Sequence, residues 1–107
     1  MSQFQYVCSV DALVANSGVA ALINGQQIAL FYLAGQVYAT SNYDPICHAF
    51  VMSRGMVGDL KGQLMVASPL HKEHYNLQTG QCFEHPDIYL TVYPSRIEDH
   101  AVWVSVP

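Results

Sequence analysis

Charge is what this chain of 107 residues has least of. Only 11% of its residues are charged, less than half of the roughly 25% usual in soluble domains. The four basic residues, Arg54, Lys61, Lys72 and Arg96, are scattered and outweighed by eight acidic ones, for a net charge of −4. No basic stripe and no basic–aromatic interleaving exists to follow a phosphate backbone, which excludes a nucleic-acid binder. Cysteine is scarce too. Cys8, Cys47 and Cys82 are odd in number, far apart and without a Cys-x-x-Cys pair, which argues against a disulfide framework or a zinc ribbon. They read as reduced thiols, with Cys8 and Cys82 as small buried residues. Long apolar runs are missing as well. The longest, over residues 18–35, is cut by Asn24-Gly25-Gln26-Gln27 and cannot span a bilayer. The start, Met1-Ser2-Gln3-Phe4-Gln5, has no basic segment ahead of an apolar one, so no secretion signal is read there. The expectation is a single cytoplasmic domain over residues 1–107. With 51% hydrophobic residues and so thin a charged coat, it is expected to work docked to a partner.

What is present reads as β-structure throughout. Short alternating or β-branched runs predict strands over residues 5–8, 19–23, 27–32, 36–40, 64–67, 74–77, 88–93 and 101–106. A brief helical turn is expected over 11–15. Asn24-Gly25 between two apolar runs is a strong hairpin signal, because both residues accept the positive φ of a type I′ turn. In the last strand Val102, Val104 and Val106 share one face and Trp103 takes the other. Closely spaced short strands with Gly and Asn turns predict an all-β sandwich or small barrel. Residues 53–62, with Gly55, Gly58 and Gly62, lack the Gly-Lys-Ser/Thr of a phosphate loop and read as turn geometry. His85, beside Pro86, and His100, at the start of the last strand, read as surface histidines.

Two loops carry the chemistry-bearing residues. One is Asn42-Tyr43-Asp44-Pro45-Ile46-Cys47-His48-Ala49-Phe50, leading into Ser53-Arg54-Gly55. The other is Ser68-Pro69-Leu70-His71, followed by Tyr75-Asn76-Leu77-Gln78-Thr79-Gly80. Together they resemble the two ligand boxes of a Rieske iron–sulfur domain, Cys-x-His and Cys-x-x-His, in which two thiolates hold one iron and two imidazoles the other. Counted against that pattern, the four ligand positions carry Pro45, Cys47, Ser68 and His71. Proline offers no ligand atom, and a serine hydroxyl stays protonated at neutral pH. Only His71 matches its ligand type, and one imidazole cannot hold a two-iron cluster. The resemblance therefore implies an all-β, Rieske-like fold with two former ligand loops at one end and no cluster between them.

The stretches Ser53-Arg54-Gly55-Met56-Val57-Gly58-Asp59-Leu60-Lys61-Gly62-Gln63-Leu64 and Val66-Ala67-Ser68-Pro69-Leu70 narrow the resemblance. So do Asn42-x-Asp44-Pro45, the Asn24-Gly25 hairpin and the turn Thr79-Gly80-Gln81-Cys82. With them the chain is similar to the small subunits of bacterial NAD(P)H-dependent nitrite reductase. That similarity implies a cofactor-free chain without catalytic residues, serving assembly or activity of a large subunit. The large subunit would hold FAD, siroheme and an iron–sulfur cluster and reduce nitrite to ammonium in nitrogen metabolism. Loop residues His48, Phe50, His71, His74 and Tyr75 are the expected partner contacts, since loops on a rigid scaffold often carry them. Two other classes stay open: a single metal ion held by Cys47, His48, His71 and His74, and a Rieske-type electron-transfer ferredoxin, which the ligand chemistry opposes.

Overall fold

The structure, a computed structural model, describes residues 3–107, and every described regular element longer than one turn is a strand. The order is β1 (Phe4–Ser9), β2 (Ser17–Ile23), β3 (Gln26–Leu33), β4 (Gln36–Ser41), β5 (Tyr43–Asp44), β6 (Ala49–Phe50), β7 (Met56–Leu60), β8 (Gln63–Ala67), β9 (His74–Asn76), β10 (Val92–Tyr93), β11 (Ser95–Glu98) and β12 (Ala101–Ser105). Two single 3-10 turns, Val10–Ala12 and Met52–Arg54, interrupt it. No helix among the described residues is long and apolar enough to cross a membrane.

The strands form separate open sheets, ordered β1-β12-β11, β10-β4-β3-β2, β5-β6 and β7-β8-β9. The architecture is thus a layered sandwich, and the closed-barrel form of the expectation does not apply. Strand β3 is its centre. Ile28 and Leu30 point to one side, into a core with Val37, Ala39, Val102, Val104 and Val106. Ala29, Phe31 and Leu33 point to the other, into a core with Met52, Val66, Tyr75, Leu77, Cys82 and Leu90. Side-chain period two lets one strand supply both layers, and each large side chain so enclosed contributes about 1.5–3 kcal/mol.

The turns follow from backbone chemistry. Asn24-Gly25 has φ of +51° and +77°, which is the expected type I′ hairpin. Ala34-Gly35, Lys61-Gly62 and Asp99-His100 repeat the same signs of φ. His100 therefore sits in the β11–β12 turn ahead of the last strand, its Nε2 3.0 Å from Asp11 Oδ1. Val102, Val104 and Val106 are buried together, as their alternation predicts.

Three local expectations are corrected. The turn expected over 11–15 is Val10–Ala12, capped by Ser9 Oγ and finished at Leu13, where the backbone turns extended. Residues 53–62 are not all turn: β7 runs from Met56 to Leu60 and pairs with β8. Of its glycines, Gly62 has positive φ, whereas Gly55 is required for closeness, since a Cβ there would lie 2.5 Å from the carbonyl oxygen of Ala67. Residues 88–93 make a strand only at Val92–Tyr93. Before that, residues 88–90 run antiparallel to residues 80–82, with Cys82 N–H donating to Ile88 O and Leu90 N–H to Gly80 O around a single Gln81–Tyr89 bridge. The segment thus changes partner once, from residues 80–82 to β4.

Candidate functional site

The two loops of the sequence analysis meet over Asp44. The first is anchored by Asn42, whose side chain is buried. Asn42 Nδ2 donates to Gln27 Oε1 (3.2 Å), Asn42 Oδ1 accepts from Ser53 N–H (2.7 Å), and Asn42 O accepts from Met52 N–H (3.0 Å). Between these anchors β5 and β6 form a minimal hairpin that pairs Asp44 with Ala49. The second loop closes on itself: Ser68 N–H donates to Glu73 O and Lys72 N–H to Ser68 O. Lys72 turns at φ +62° to permit it.

Asp44 is completely enclosed, at 0% exposure. A buried carboxylate is tolerated only where hydrogen bonds replace its water, and here several do. Oδ2 accepts from the Ser68 hydroxyl. Oδ1 accepts from the Tyr75 hydroxyl at 2.9 Å, the Ile46 amide at 2.9 Å and, more weakly, the Cys47 amide at 3.4 Å. Burial works to raise the Asp44 pKa, but the bonds from Ser68, Ile46, Cys47 and Tyr75 outweigh it and hold the carboxyl below its ordinary value. Burial first, then the hydrogen bond and charge of Asp44, push the Tyr75 phenol far above its usual range. Burial, and next Asp44, push the Cys47 thiol up. The network is an ionised acceptor surrounded by groups that stay protonated.

The residues present do not fit a two-iron cluster. Ser68, at a thiolate position, is buried and spends its hydroxyl on Asp44. Pro45 has no donor, and Cys47 is held in its thiol form, which is the weaker ligand. His71 is exposed at the tip of the second loop. Among the described residues no three His, Cys, Asp or Glu side chains gather as a metal site. Two of the three histidines proposed for a single ion have other partners: His48 Nδ1 lies 2.8 Å from the Tyr43 hydroxyl and His74 Nδ1 2.6 Å from Glu84 Oε2.

The expected contact residues divide. His48, Phe50 and His71 are exposed, and Phe50 stacks edge-on against Tyr43 with ring centroids 5.1 Å apart. His74 is half-buried. Tyr75 is corrected: it lies wholly inside, at 0% exposure, because its position on β9 faces the core and its hydroxyl is needed by Asp44. The residue sequence reasoning left without a role is Asp44. Its signal was that it is the one acidic residue of the loop over residues 42–50.

The fold and the loop pair define a Rieske-type domain, and the chain matches the family of Rieske-like [2Fe-2S] domains over residues 3–105. It belongs to that family, and within it to the nitrite reductase (NADH) small subunits: it is 41% identical to the one from Salmonella typhimurium over 95% of this chain and 96% of that relative. The solution structure of the nitrite reductase [NAD(P)H] small subunit from Erwinia carotovora superposes with a TM-score of 0.83, at 40% identity, covering 100% of this chain and 84% of that one. The ferredoxin of carbazole 1,9a-dioxygenase from Nocardioides aromaticivorans shares the fold at a TM-score of 0.85 and 20% identity, covering 98% of this chain and 99% of that one. A nitrite reductase [NAD(P)H] large subunit from Klebsiella oxytoca is 37% identical over 95% of this chain, which spans only 11% of that longer protein.

Proposed function

We propose that this chain is a cluster-free, non-catalytic subunit of an NAD(P)H-dependent nitrite reductase, bound to a large subunit that carries the flavin, siroheme and iron–sulfur chemistry. The observation that carries the reading is the Asp44–Ser68–Tyr75 network, which ties together the loops that in the fold family flank a cluster. With thiolates absent from the first and second boxes, the chain has nothing to pass electrons through, so its contribution is to the structure and activity of the complex. The Klebsiella oxytoca relative supports the partner, because there a matching segment is part of the large subunit's own chain.

The test is to purify the tagged chain from its own host grown on nitrite and to record the absorption spectrum and iron content of both components. Flavin and siroheme bands arriving with a much larger chain, and an iron-free small chain, are expected. Rieske-type absorption from the small chain alone would overturn the cluster-free reading. A colourless eluate without a partner would overturn the subunit reading.

A further inference from the structure

Strand β2 is an edge strand that the sequence leaves unguarded. It ends the order β10-β4-β3-β2 and pairs with β3 alone over Ser17–Ile23. In an antiparallel ladder alternate residues turn their N–H and C=O away from the partner strand, and among the described residues no backbone hydrogen bond reaches β2 from its other side. Natural edges of this length are normally blunted with lysine, proline or a bulge. Here the register against β3 is unbroken, and no Asp, Glu, Lys or Arg occurs anywhere between Asp11 and Asp44.

The face beside that edge is apolar and only half covered. At Gly18 the cover is tight: a Cβ would meet Ser53 O at 2.5 Å and the Phe31 ring at 2.7 Å. Two residues further on it has ended. Ala20 is exposed and Leu22 is 73% exposed, although Ala29, the β3 partner of Ala20, is fully buried. A shallow groove of about 370 Å³ runs along Ala20, Ala21, Leu22 and Gln27. Gln27 also lines the neighbouring groove that reaches Phe50, itself 54% exposed.

We infer that the free edge of β2 and the open face formed by Ala20, Leu22, Gln27 and Phe50 are where the large subunit docks, by adding an extended segment of its own to this sheet. The inference rests on the subunit reading above. A charge-free edge suits a permanent partner better than a transient one, since obligate interfaces are the more apolar. Strand addition would give the edge its missing hydrogen bonds, while Leu22 and Phe50 supply side-chain anchors. The Klebsiella oxytoca relative, with a matching segment inside the large-subunit chain, supports the large subunit as the occupant.

The experiment co-expresses the large subunit with the wild-type chain, with the double variant Ala20→Lys/Leu22→Lys, and with Leu70→Lys as a control on the exposed second loop. Affinity is measured on the purified pairs, and amide hydrogen exchange on the wild-type chain, free and in complex. The expected result is a loss of roughly tenfold or more in affinity for the β2 double variant, the size of an anchor loss, with Leu70→Lys unchanged and the amides among 18–22 that face away from β3 protected only in the complex. Wild-type binding with unaltered binding by the β2 variant and unchanged exchange at 18–22 overturns the docking face and leaves the subunit reading standing. Failure of the wild-type chain to bind overturns both. A wild-type chain that is dimeric alone and monomeric as the double variant makes the occupant a second copy and overturns the inference. The exchange measurement needs no variant, so it decides the matter even if the lysines disturb folding.

Discussion

The hydroxyl of Ser68 donates to the carboxylate of Asp44, joining a loop that begins after β4 to one that begins after β8. Asp44 also takes the Tyr75 hydroxyl from β9, so three parts of the chain converge on one charge. The two loops are thereby tied at a common end through this one carboxylate.

Removing one donor from that convergence is expected to cost stability without changing the fold. Tyr75→Phe keeps the buried ring and deletes a hydrogen bond to a charged group, worth about 1.5–3 kcal/mol. Urea unfolding should show the midpoint lowered by about 1 M with an unchanged slope. A midpoint equal to wild type would mean that the network does not support the loops.

The same network sets a pH dependence. The folded pKa of Asp44 lies below its ordinary 3.8, so its contribution is complete above about pH 4 and is lost as pH falls through the folded value. Asp44→Asn should therefore be less stable than wild type at pH 7, and the difference should shrink as the pH is taken below 4. Denaturation midpoints of both proteins from pH 7 to pH 2 test the sign. A constant difference across that range would contradict it.

At the alkaline end the Tyr75 phenol resists ionisation, because burial and the neighbouring carboxylate raise its pKa above the ordinary 10.0. Folding then opposes release of that proton, so the network's contribution is full below pH 10 and declines above it. An ultraviolet titration of tyrosinate should show fewer residues titrating before unfolding in wild type than after it, because burial also raises Tyr93, and the shortfall should be smaller by one residue in Tyr75→Phe.

Gly55→Ala places a methyl group against the Ala67 carbonyl and Val66. Such overpacking is expected to cost about 1–3 kcal/mol, even though the backbone there has φ of −71°, open to any residue. His71→Ala, by contrast, removes an exposed side chain and should change stability by less than about 0.5 kcal/mol. Thermal unfolding of the two variants side by side separates a required glycine from a tolerant loop tip.

Much of the fold was legible in the sequence. Asn24-Gly25 fixed a hairpin because its turn chemistry is local, and the valines of β12 declared their buried face by alternation alone. The pairing of β7 with β8 was hidden by Gly55, Gly58 and Gly62, which read as loop. Gly55 answers a tertiary demand, the close approach of the Ala67 carbonyl, and Gly62 a turn. Ser68 and Pro45 could be recognised as departures from a ligand pattern, since a ligand type is a property of one residue. The role of Asp44 could not, because a buried charge is defined by donors 24 and 31 residues away. Tyr75 looked like a loop-tip contact for the same reason: its spacing from His71 is visible in sequence, but the direction of its ring is not.

Strand β3 gives Ile28 and Leu30 to one core and Ala29, Phe31 and Leu33 to the other. A wall common to two rooms cannot be taken down for one of them. Loosening β3 would expose both layers together, so unfolding is expected to be a single cooperative event whichever core is first disturbed. No shorter fragment of the chain could keep one layer while discarding the other.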